Sequence, residues 1–257
     1  MVVADLHVHT TNSDGQLTLE TIPDAAAEAG VEVVAVTDHD RLHPELSEPI
    51  SERDGTTVIH GIELRVEAGQ QRLDLLGYAA RRTERLEALT ERLQENRIER
   101  AREIIENVEE ETGASLSVEL TPGVGRPHIA RAIADSDAPY DYREAFADLI
   151  GDDQPCYVPR EIPAFEEGVS VLREACSVVG LAHPFRYDDP TAALERAREL
   201  DAVEVPYPYG KAVDRQPAVA VADEEGLLVT GGSDAHELEV GIDGLDAEQY
   251  RAVESAL

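Results

Sequence analysis

Apolar, β-branched runs recur along the chain, and several of the segments between them carry apolar residues at helical spacing. The runs fit short buried strands, and some of the helical patterns end at glycine. The predicted strands cover residues 2–9, 31–37, 56–65, 72–79, 178–183, 202–205 and 227–232. The predicted helices cover 18–29, 164–177, 190–200, 213–225 and 247–257. Alternating strands and helices predict an α/β fold with a largely parallel sheet, either open or closed into a barrel.

The segment 80–155 interrupts this alternation. It begins with a long, highly charged helical pattern and passes a turn at Thr121-Pro122-Gly123 before shorter helical patterns follow. These patterns cover residues 81–112, 127–134 and 142–150. We therefore predict a helical insertion at 80–155 in one α/β domain that residues 1–79 and 156–257 form together, which suits a chain of 257 residues.

Charge is the strongest compositional feature of the chain. Its 54 acidic residues against 22 lysine and arginine residues give a formal net charge of -32. The acidic residues are interleaved with periodic apolar ones, which argues against disorder. Lys211 is the only lysine. This composition is typical of a very salty cytoplasm, where salt screens charge repulsion, and we expect a halophilic protein.

Composition also disfavours several classes of protein. No stretch approaches the roughly 18–20 apolar residues that a membrane span needs. The first residues lack the basic and apolar regions of a secretory signal, so we expect a cytoplasmic protein. Cys156 and Cys176 fit a reducing compartment, and we expect both to be structural.

Histidine and acidic residues recur where the predicted strands end. His7 and His9 lie two positions apart on the first strand, so their side chains point to the same side, and Asp14 follows shortly after. The later candidates are His39, Glu63, His128, His183, Asp234 and His236. Because the active sites of parallel α/β barrels lie at the carboxyl ends of the strands, these nine side chains can meet in one pocket.

The nine side chains are of the types that bind transition metals. Imidazole and carboxylate suit zinc, manganese or iron, and the absence of thiolates argues against a structural zinc site. Nine ligands exceed the need of one ion, so two or three ions with open positions for water are expected. A single histidine at a strand end is usually structural, but the joint pattern favours metal. His43 and His60 lack such neighbours, and we expect His60 to point away from the ligands.

These motifs resemble those of the PHP (polymerase and histidinol phosphatase) superfamily. The matching segments are Asp5-Leu6-His7-Val8-His9-Thr10, Ser13-Asp14-Gly15, Thr37-Asp38-His39-Asp40, Gly61-Ile62-Glu63, Ala182-His183-Pro184 and Gly232-Ser233-Asp234-Ala235-His236. Within the superfamily, Arg126-Pro127-His128-Ile129-Ala130 and Tyr157-Val158-Pro159 are similar to one branch. That branch contains the 5′-to-3′ exoribonucleases and the nucleoside 3′,5′-bisphosphate phosphatases.

The resemblance implies a distorted seven-stranded (β/α) barrel, similar to a TIM barrel, that holds a trinuclear metal site. It implies one ion bound by His7, His9, Glu63 and Asp234, a second by Asp14, His39 and His236, and a third by Glu63, His128 and His183. Glu63 would then bridge two ions. Manganese is the expected metal, with zinc or iron as alternatives, and the ligands would act in catalysis through the ions.

The expected reaction is the hydrolysis of a phosphate ester. Bound divalent ions lower the pKa of a coordinated water and offset the charge that develops on the phosphoryl group. Arg186 and Arg126 are candidate substrate-binding residues because planar guanidinium groups pair well with phosphate. Asp38 and Asp40 flank His39 and are candidates for orienting the metal ligands.

The net charge of -32 argues against a broad basic groove for long duplexes. Nucleotides or the 5′ ends of short RNA are therefore the expected substrates. Histidinol phosphate remains an alternative substrate, and a non-catalytic, metal-stabilised binding module is an alternative from another class. A binuclear amidohydrolase is disfavoured because its common form needs a carboxylated lysine on a strand, whereas Lys211 lies in a predicted loop.

The halophilic composition generates a first prediction. We expect the unfolding temperature to rise between low salt and molar KCl, because the screening length falls to about 3 Å at 1 M salt and repulsion among carboxylates weakens. Thermal unfolding followed by circular dichroism at both salt concentrations measures this. Equal unfolding temperatures would contradict the halophilic interpretation.

Overall fold

The computed structural model describes residues 1–257, which divide into two compact units. The larger unit consists of Met1–Thr90 and Ile162–Leu257, and the smaller unit consists of Glu91–Glu161. None of the helices combines the length and the apolar character that crossing a membrane requires.

Nine strands in the larger unit form two sheets. The strands are β1 (Ala4–Val8), β2 (Val33–Val36), β3 (Ile50–Arg53), β4 (Thr56–His60), β5 (Ile62–Ala68), β6 (Gln71–Tyr78), β7 (Val178–Leu181), β8 (Ala202–Glu204) and β9 (Leu228–Thr230). The first sheet has the order β1-β2-β4-β3, and the second has the order β5-β6-β7-β8-β9. Pairing is antiparallel for β3 with β4, β5 with β6 and β6 with β7, and parallel for the other neighbours. The fold is therefore mixed α/β, with fewer parallel pairs than expected.

Eight helices accompany the strands. They are α1 (Ile22–Ala29), α2 (Glu84–Thr112), α3 (Arg126–Ala134), α4 (Tyr142–Glu144), α5 (Phe165–Ala175), α6 (Pro190–Ala197), α7 (Gln216–Glu225) and α8 (Ala247–Glu254). A π-helical turn, Ala145–Ile150, continues α4, and a 3-10 turn covers Pro184–Arg186. Helices α1 and α7 end at Gly30 and Gly226, whose φ angles of 72° and 68° are left-handed, as the sequence predicts.

The sheets do not form one closed barrel of seven strands, in contrast to the expectation. The predicted strand 56–65 is divided at Gly61, with β4 in the first sheet and β5 in the second. A Cβ atom at Gly61 would lie 2.7 Å from the carbonyl oxygen of Gly77 and 2.9 Å from Cγ2 of Thr37, so this passage between sheets requires glycine. The prediction also omitted β3, which lies at a sheet edge and buries too little to show an apolar pattern.

Strand β1 shows how the core and the polar interior are separated. Its side chains at Ala4 and Leu6 belong to an apolar cluster that includes Leu76 and Tyr78. Asp5 and His7 alternate with them along the strand and are fully buried as well. Because successive side chains of a strand point to opposite faces, Ala4 and Leu6 pack in the core, whereas Asp5 accepts backbone N–H groups of Ser233 and Gly241 and His7 joins the cluster of candidate ligands.

The position of Leu6 generates a prediction of stability. Leu6 is completely buried, so Leu6→Ala should lower the free energy of unfolding by about 2–5 kcal/mol through lost burial and a residual cavity. Leu238, which is 58% exposed, provides the matched control, and Leu238→Ala should change it by less than about 0.5 kcal/mol. Urea unfolding at constant KCl measures both. A similar loss in the two variants would contradict the assignment of Leu6 to the core.

Candidate metal centre

Eight of the nine predicted ligands come together in the larger unit, close to strand ends. His7 lies in β1 and His9 follows it directly, whereas Glu63 is the second residue of β5. The other five follow strands β1, β2, β7 and β9 in loops: Asp14, His39, His183, Asp234 and His236. The structure therefore brings eight of the nine side chains together, with Glu63 at the start of its strand, and the assignment of each side chain as a ligand remains a prediction.

Glu63 lies at the centre of the cluster. One of its carboxylate oxygens is 3.4 Å from His7 Nε2 and 3.0 Å from His183 Nε2. The other oxygen is 2.7 Å from His39 Nδ1 and 3.5 Å from His9 Nε2. Both carboxylate oxygens of Glu63 therefore lie within reach of the imidazole donors of this cluster.

Asp234 and Asp14 complete the cluster on either side of His9. Asp234 Oδ1 lies 3.1 Å from His9 Nε2 and 3.5 Å from His7 Nε2. Asp14 Oδ1 lies 3.3 Å from His236 Nε2 and 3.7 Å from His39 Nε2. Four groups of side chains result, each with ligand atoms within 4.8 Å of one another: His9, Asp14, His39 and His236; His7, His9 and Glu63; His7, His183 and Asp234; and Glu63, Asp74 and His183.

The donor atoms of the cluster fit a metal better than they fit each other. Four buried atoms that face the cluster have no hydrogen-bond partner: His7 Nε2, His9 Nε2, Asp14 Oδ1 and Glu63 Oε2. Buried polar atoms are almost always paired, so such a concentration of unpaired atoms needs an explanation. Imidazole nitrogens and carboxylate oxygens in reach of one another are the donor set that transition metals accept.

The charges of the cluster displace the pKa values of its members. Burial raises the pKa of Glu63, but the imidazoles of His39 and His7 outweigh burial and hold this pKa well below its usual value. Burial lowers the pKa of His236, but the nearby carboxylate of Asp14 outweighs burial and raises this pKa to about 9. Strong displacement by burial together with specific charge partners is typical of functional sites.

The ring orientations of His7 and His236 are fixed by acceptors outside the cluster. His7 Nδ1 lies 3.1 Å from Glu204 Oε1, and His236 Nδ1 lies 2.9 Å from the carbonyl oxygen of Asp234. Because a carboxylate and a carbonyl only accept, each Nδ1 donates to its acceptor, and Nε2 is the nitrogen that offers a lone pair to a metal when the ring is neutral. Glu204 also accepts a hydrogen bond of 2.7 Å from the backbone N–H of His183. Sequence analysis missed Glu204, although its place at the end of β8 was a usable signal.

Asp38 holds the loop that carries Asp14. Its carboxylate accepts hydrogen bonds from the backbone N–H and hydroxyl of Thr10, both at 2.8 Å, from Asn12 Nδ2 at 2.9 Å and from Ser13 Oγ at 2.7 Å. The predicted orienting role of Asp38 is therefore visible as four contacts. Asp40 accepts from the backbone N–H of Arg65 at 3.0 Å.

Two residues of the cluster have strained backbones. His183 has a φ of 28° and Asp234 a φ of 50°, in the region that favours glycine. Such conformations cost of order 1–3 kcal/mol and persist where surrounding structure imposes them, frequently at functional sites. Here the backbone N–H bond of His183 to Glu204 and the side-chain contacts of Asp234 impose them.

Arg186 lies at the cluster through Asp234. Its Nη1 is 2.8 Å from Asp234 Oδ2 and 2.8 Å from the hydroxyl oxygen of Tyr207. The Tyr207 hydroxyl in turn donates to Asp234 Oδ2 at 2.8 Å. Sequence analysis missed Tyr207, which lies three residues beyond β8 among Tyr-Pro repeats that carry no distinctive motif.

Asp74 is a further carboxylate that sequence analysis missed. It lies 3.8 Å from His183 Nε2, but Arg65 binds both of its oxygens at 2.7 Å. The charge of Arg65 outweighs the effect of burial and lowers the pKa of Asp74. Asp74 therefore already has its counter-ion in this structure.

The remaining candidates lie outside these groups. Arg126 and His128 belong to the smaller unit, where Arg126 Nη1 pairs with Asp152 at 2.6 Å and His128 Nδ1 accepts from the Gly125 N–H at 3.2 Å. His43 Nδ1 accepts from the backbone N–H of Glu45 at 3.3 Å. His60 is buried in β4 and belongs to no group, in agreement with the expectation, and burial lowers its pKa to about 4.

Comparison with known proteins identifies the family. The PHP domain family matches residues 5–150, which is more than half of the chain, and the protein belongs to this family. The 3′,5′-nucleoside bisphosphate phosphatase of Chromobacterium violaceum is 30% identical over 92% of this chain and 88% of its own length. The 5′-3′ exoribonuclease Rnm of Salmonella typhimurium is 29% identical over 92% of this chain and 86% of its own.

A solved structure supports the fold. The structure of a proposed metal-dependent phosphoesterase from Bifidobacterium adolescentis superposes with a TM-score of 0.82 at 24% identity, covering 99% of this chain and 96% of the other. This similarity confirms the α/β fold of the PHP-like phosphoesterase structures.

The contacts of Asp38 generate a prediction of stability. Asp38→Asn replaces an acceptor by an NH2 group that faces the Thr10 hydroxyl and the Asn12 amide. Because buried donors then lose their partner, the free energy of unfolding should fall by about 1–3 kcal/mol. Urea unfolding in the presence of a chelator measures this without bound metal. The exposed Asp223→Asn is the control, and equal stability of the two variants would contradict the role of Asp38.

Proposed function

We propose that this protein is a metal-dependent phosphoesterase that hydrolyses phosphate esters of nucleotides or of short RNA 5′ ends. The observation that carries the proposal is the buried convergence of imidazole and carboxylate donors on Glu63, with several donor atoms lacking a hydrogen-bond partner. Two relatives that match over 92% of this chain are a 3′,5′-nucleoside bisphosphate phosphatase and a 5′-3′ exoribonuclease. The chain is accordingly a hydrolase of phosphate ester bonds.

The proposed ligand sets are those that the family resemblance implies. His7, His9, Glu63 and Asp234 would hold one ion, Asp14, His39 and His236 a second, and Glu63 and His183 would contribute to a third. The structure supports them in that all of these side chains lie in overlapping groups of donor atoms. His128 is proposed for the third ion on the resemblance alone. Manganese is the proposed metal, since oxygen and imidazole donors without thiolate suit it, and zinc or iron satisfies the same donors.

Bound ions of this kind supply a hydroxide nucleophile near neutral pH and bind the phosphoryl oxygens. The protein side chains prepare the site for this chemistry. Glu204 and the Asp234 carbonyl fix the imidazole tautomers of His7 and His236, and Asp38 holds the loop of Asp14. Arg186 is 54% exposed in its side chain, so its remaining donors are available to a phosphate oxygen while Nη1 stays on Asp234.

We also propose that the two sheets are the parts of one distorted barrel. Backbone bonds join the edge strand β1 and the residue after it to the segment that follows β9: Leu6 N–H donates to the Gly231 carbonyl at 3.0 Å, and His9 N–H to that of Ala235 at 3.0 Å. Asp40, which follows the inner strand β2, donates its N–H to the carbonyl of Glu63 in the edge strand β5 at 2.8 Å. These bonds lie beside the candidate ligands and bring the strand ends of both sheets together.

The net charge of -32 supports a small substrate over a long nucleic acid. Counterion release drives the binding of long duplexes by basic surfaces, and it contributes little in molar salt. Recognition of one phosphate by buried ions and one arginine does not depend on such a surface. A cytoplasmic location remains part of the proposal.

The decisive experiment compares three substrates on one preparation of the metal-loaded protein. A 5′-phosphorylated RNA of about five nucleotides, 3′-phosphoadenosine 5′-phosphate and histidinol phosphate are incubated with manganese in molar KCl, and bound metal is counted. We expect release of mononucleotides or of phosphate from one of the first two, with two to three ions bound. Turnover of histidinol phosphate alone would replace the proposed substrate class, and bound metal without turnover would favour the non-catalytic binding module.

Mutation of the ligands gives a second test. His9→Ala and Asp234→Ala should each lower kcat at least about a thousandfold. The proposed ligands act as one unit, so the loss of a single ligand costs about as much as the loss of the whole set. Both variants should remain folded in molar KCl, which circular dichroism checks. Asp223→Ala, on the exposed side of α7, is the control and should keep its activity. Full activity of either ligand variant would remove the site assignment.

A further inference from the structure

Asp234 presents its two carboxylate oxygens to different partners. Oδ1 faces the imidazole cluster, 3.1 Å from His9 Nε2 and 3.5 Å from His7 Nε2. Oδ2 accepts two hydrogen bonds of 2.8 Å, one from the hydroxyl of Tyr207 and one from Nη1 of Arg186. Because the two oxygens belong to one rigid group, the donors on Oδ2 also determine where Oδ1 points.

The two donors on Oδ2 differ in how firmly they are held. Tyr207 is 6% exposed, whereas the side chain of Arg186 is 54% exposed. Nη1 of Arg186 also donates to the hydroxyl oxygen of Tyr207 at 2.8 Å. A long, exposed side chain loses conformational entropy when it is ordered, and a buried partner that is already fixed reduces the number of groups that must be ordered together. Tyr207 is therefore the fixed member of this trio, and it holds the other two.

The ring of Tyr207 is wedged between two other rings. Its centroid lies 5.3 Å from that of His183 in an edge-to-face arrangement, and 4.6 Å from that of Tyr209. Aromatic rings at these separations attract one another and restrict one another's rotation. The position of the Tyr207 hydroxyl is thus set by the packing of the whole ring.

The backbone of Tyr207 is constrained as well. The residue lies between Pro206 and Pro208, whose rings fix their own φ angles. The carbonyl oxygen of Tyr207 accepts a hydrogen bond of 2.7 Å from Nη2 of Arg215, and the carbonyl of Pro206 accepts one of 3.1 Å from the Gly232 N–H. The segment after β8 is therefore tied to the segment after β9, which carries Asp234.

We propose that Tyr207 is a positioning residue of the candidate metal centre. Its hydroxyl orients Asp234 so that Oδ1 is directed to the ion, and it holds Nη1 of Arg186 so that the remaining donors of this guanidinium are free for a phosphate oxygen. One buried hydroxyl thereby couples metal binding to phosphate binding. The inference rests on the function proposed above, because it concerns the same site.

Tyr207→Phe removes the hydroxyl and keeps the ring, so it tests the orientation of Asp234. The full-length protein is freed of metal with a chelator and dialysed, and manganese is then titrated by calorimetry in molar KCl without substrate. Loss of an outer contact to a metal ligand costs roughly ten- to a hundredfold in affinity, so the Kd of at least one ion should rise about tenfold or more.

Tyr209→Phe is the matched control. The Tyr209 hydroxyl accepts from the Phe185 N–H at 3.5 Å and makes no hydrogen bond with Asp234, so the Kd values for manganese should stay within about twofold of the parent protein. Circular dichroism and urea unfolding in the presence of the chelator are recorded for both variants. A merely structural role of Tyr207 would lower the stability of the metal-free protein and leave the Kd values for manganese unchanged, which would overturn the proposal.

The coupling to Arg186 is tested by titrating inorganic phosphate into the manganese-saturated protein. Arg186→Gln should raise the Kd for phosphate about tenfold, as expected for one lost hydrogen bond to a charged group. Because Tyr207 acts through Arg186, the double variant with Tyr207→Phe should raise this Kd by less than the product of the two single effects.

The proposal is overturned if Tyr207→Phe and Tyr209→Phe bind manganese equally well, or if the effects of Arg186→Gln and Tyr207→Phe on phosphate binding multiply. Neither titration depends on turnover. A parent protein that binds manganese and phosphate but hydrolyses none of the three esters would therefore contradict the proposed function and leave the role of Tyr207 intact. A parent protein that binds no manganese would overturn both.

Discussion

The larger unit is organised around one buried carboxylate. Glu63 is 1% exposed, and a charge at this depth is tolerated only when partners compensate for its lost hydration. Its nearest partners, His7, His39 and His183, come from the ends of different strands. The strand ends must therefore meet at Glu63, and the packing of both sheets serves to hold them there.

Other buried carboxylates do not face the proposed ions but hold the residues that do. Asp38 ties the loop before Asp14, Glu204 binds both His7 and the backbone of His183, and Asp5 accepts the backbone N–H groups of Ser233 and Gly241. This support tolerates little change, because a Cβ atom at Gly232 would lie only 2.4 Å from the backbone nitrogen of His7. Rigid outer contacts of this kind orient metal ligands and explain how strained residues persist at the site.

Charge acts at two length scales in this protein. The overall charge of -32 repels polyanions over long distances, and salt shortens the range of that repulsion, to about 3 Å at 1 M. At short range, Arg186 places a guanidinium group beside Asp234 at the candidate metal centre. An acidic surface and phosphate chemistry are therefore compatible, because short-range contacts decide recognition.

The sequence by itself determined the alternation of strands and helices, the glycine ends of α1 and α7, and most of the candidate ligands. His7 and His9 could be identified from the sequence because their spacing of two residues and their position at a strand end are local properties. The division at Gly61, the edge strand β3, and the contacts of Glu204, Tyr207 and Asp74 were decided only by the tertiary structure. Each depends on which distant segments pair and in what register, and hydrogen bonding between such segments leaves no period in the local sequence.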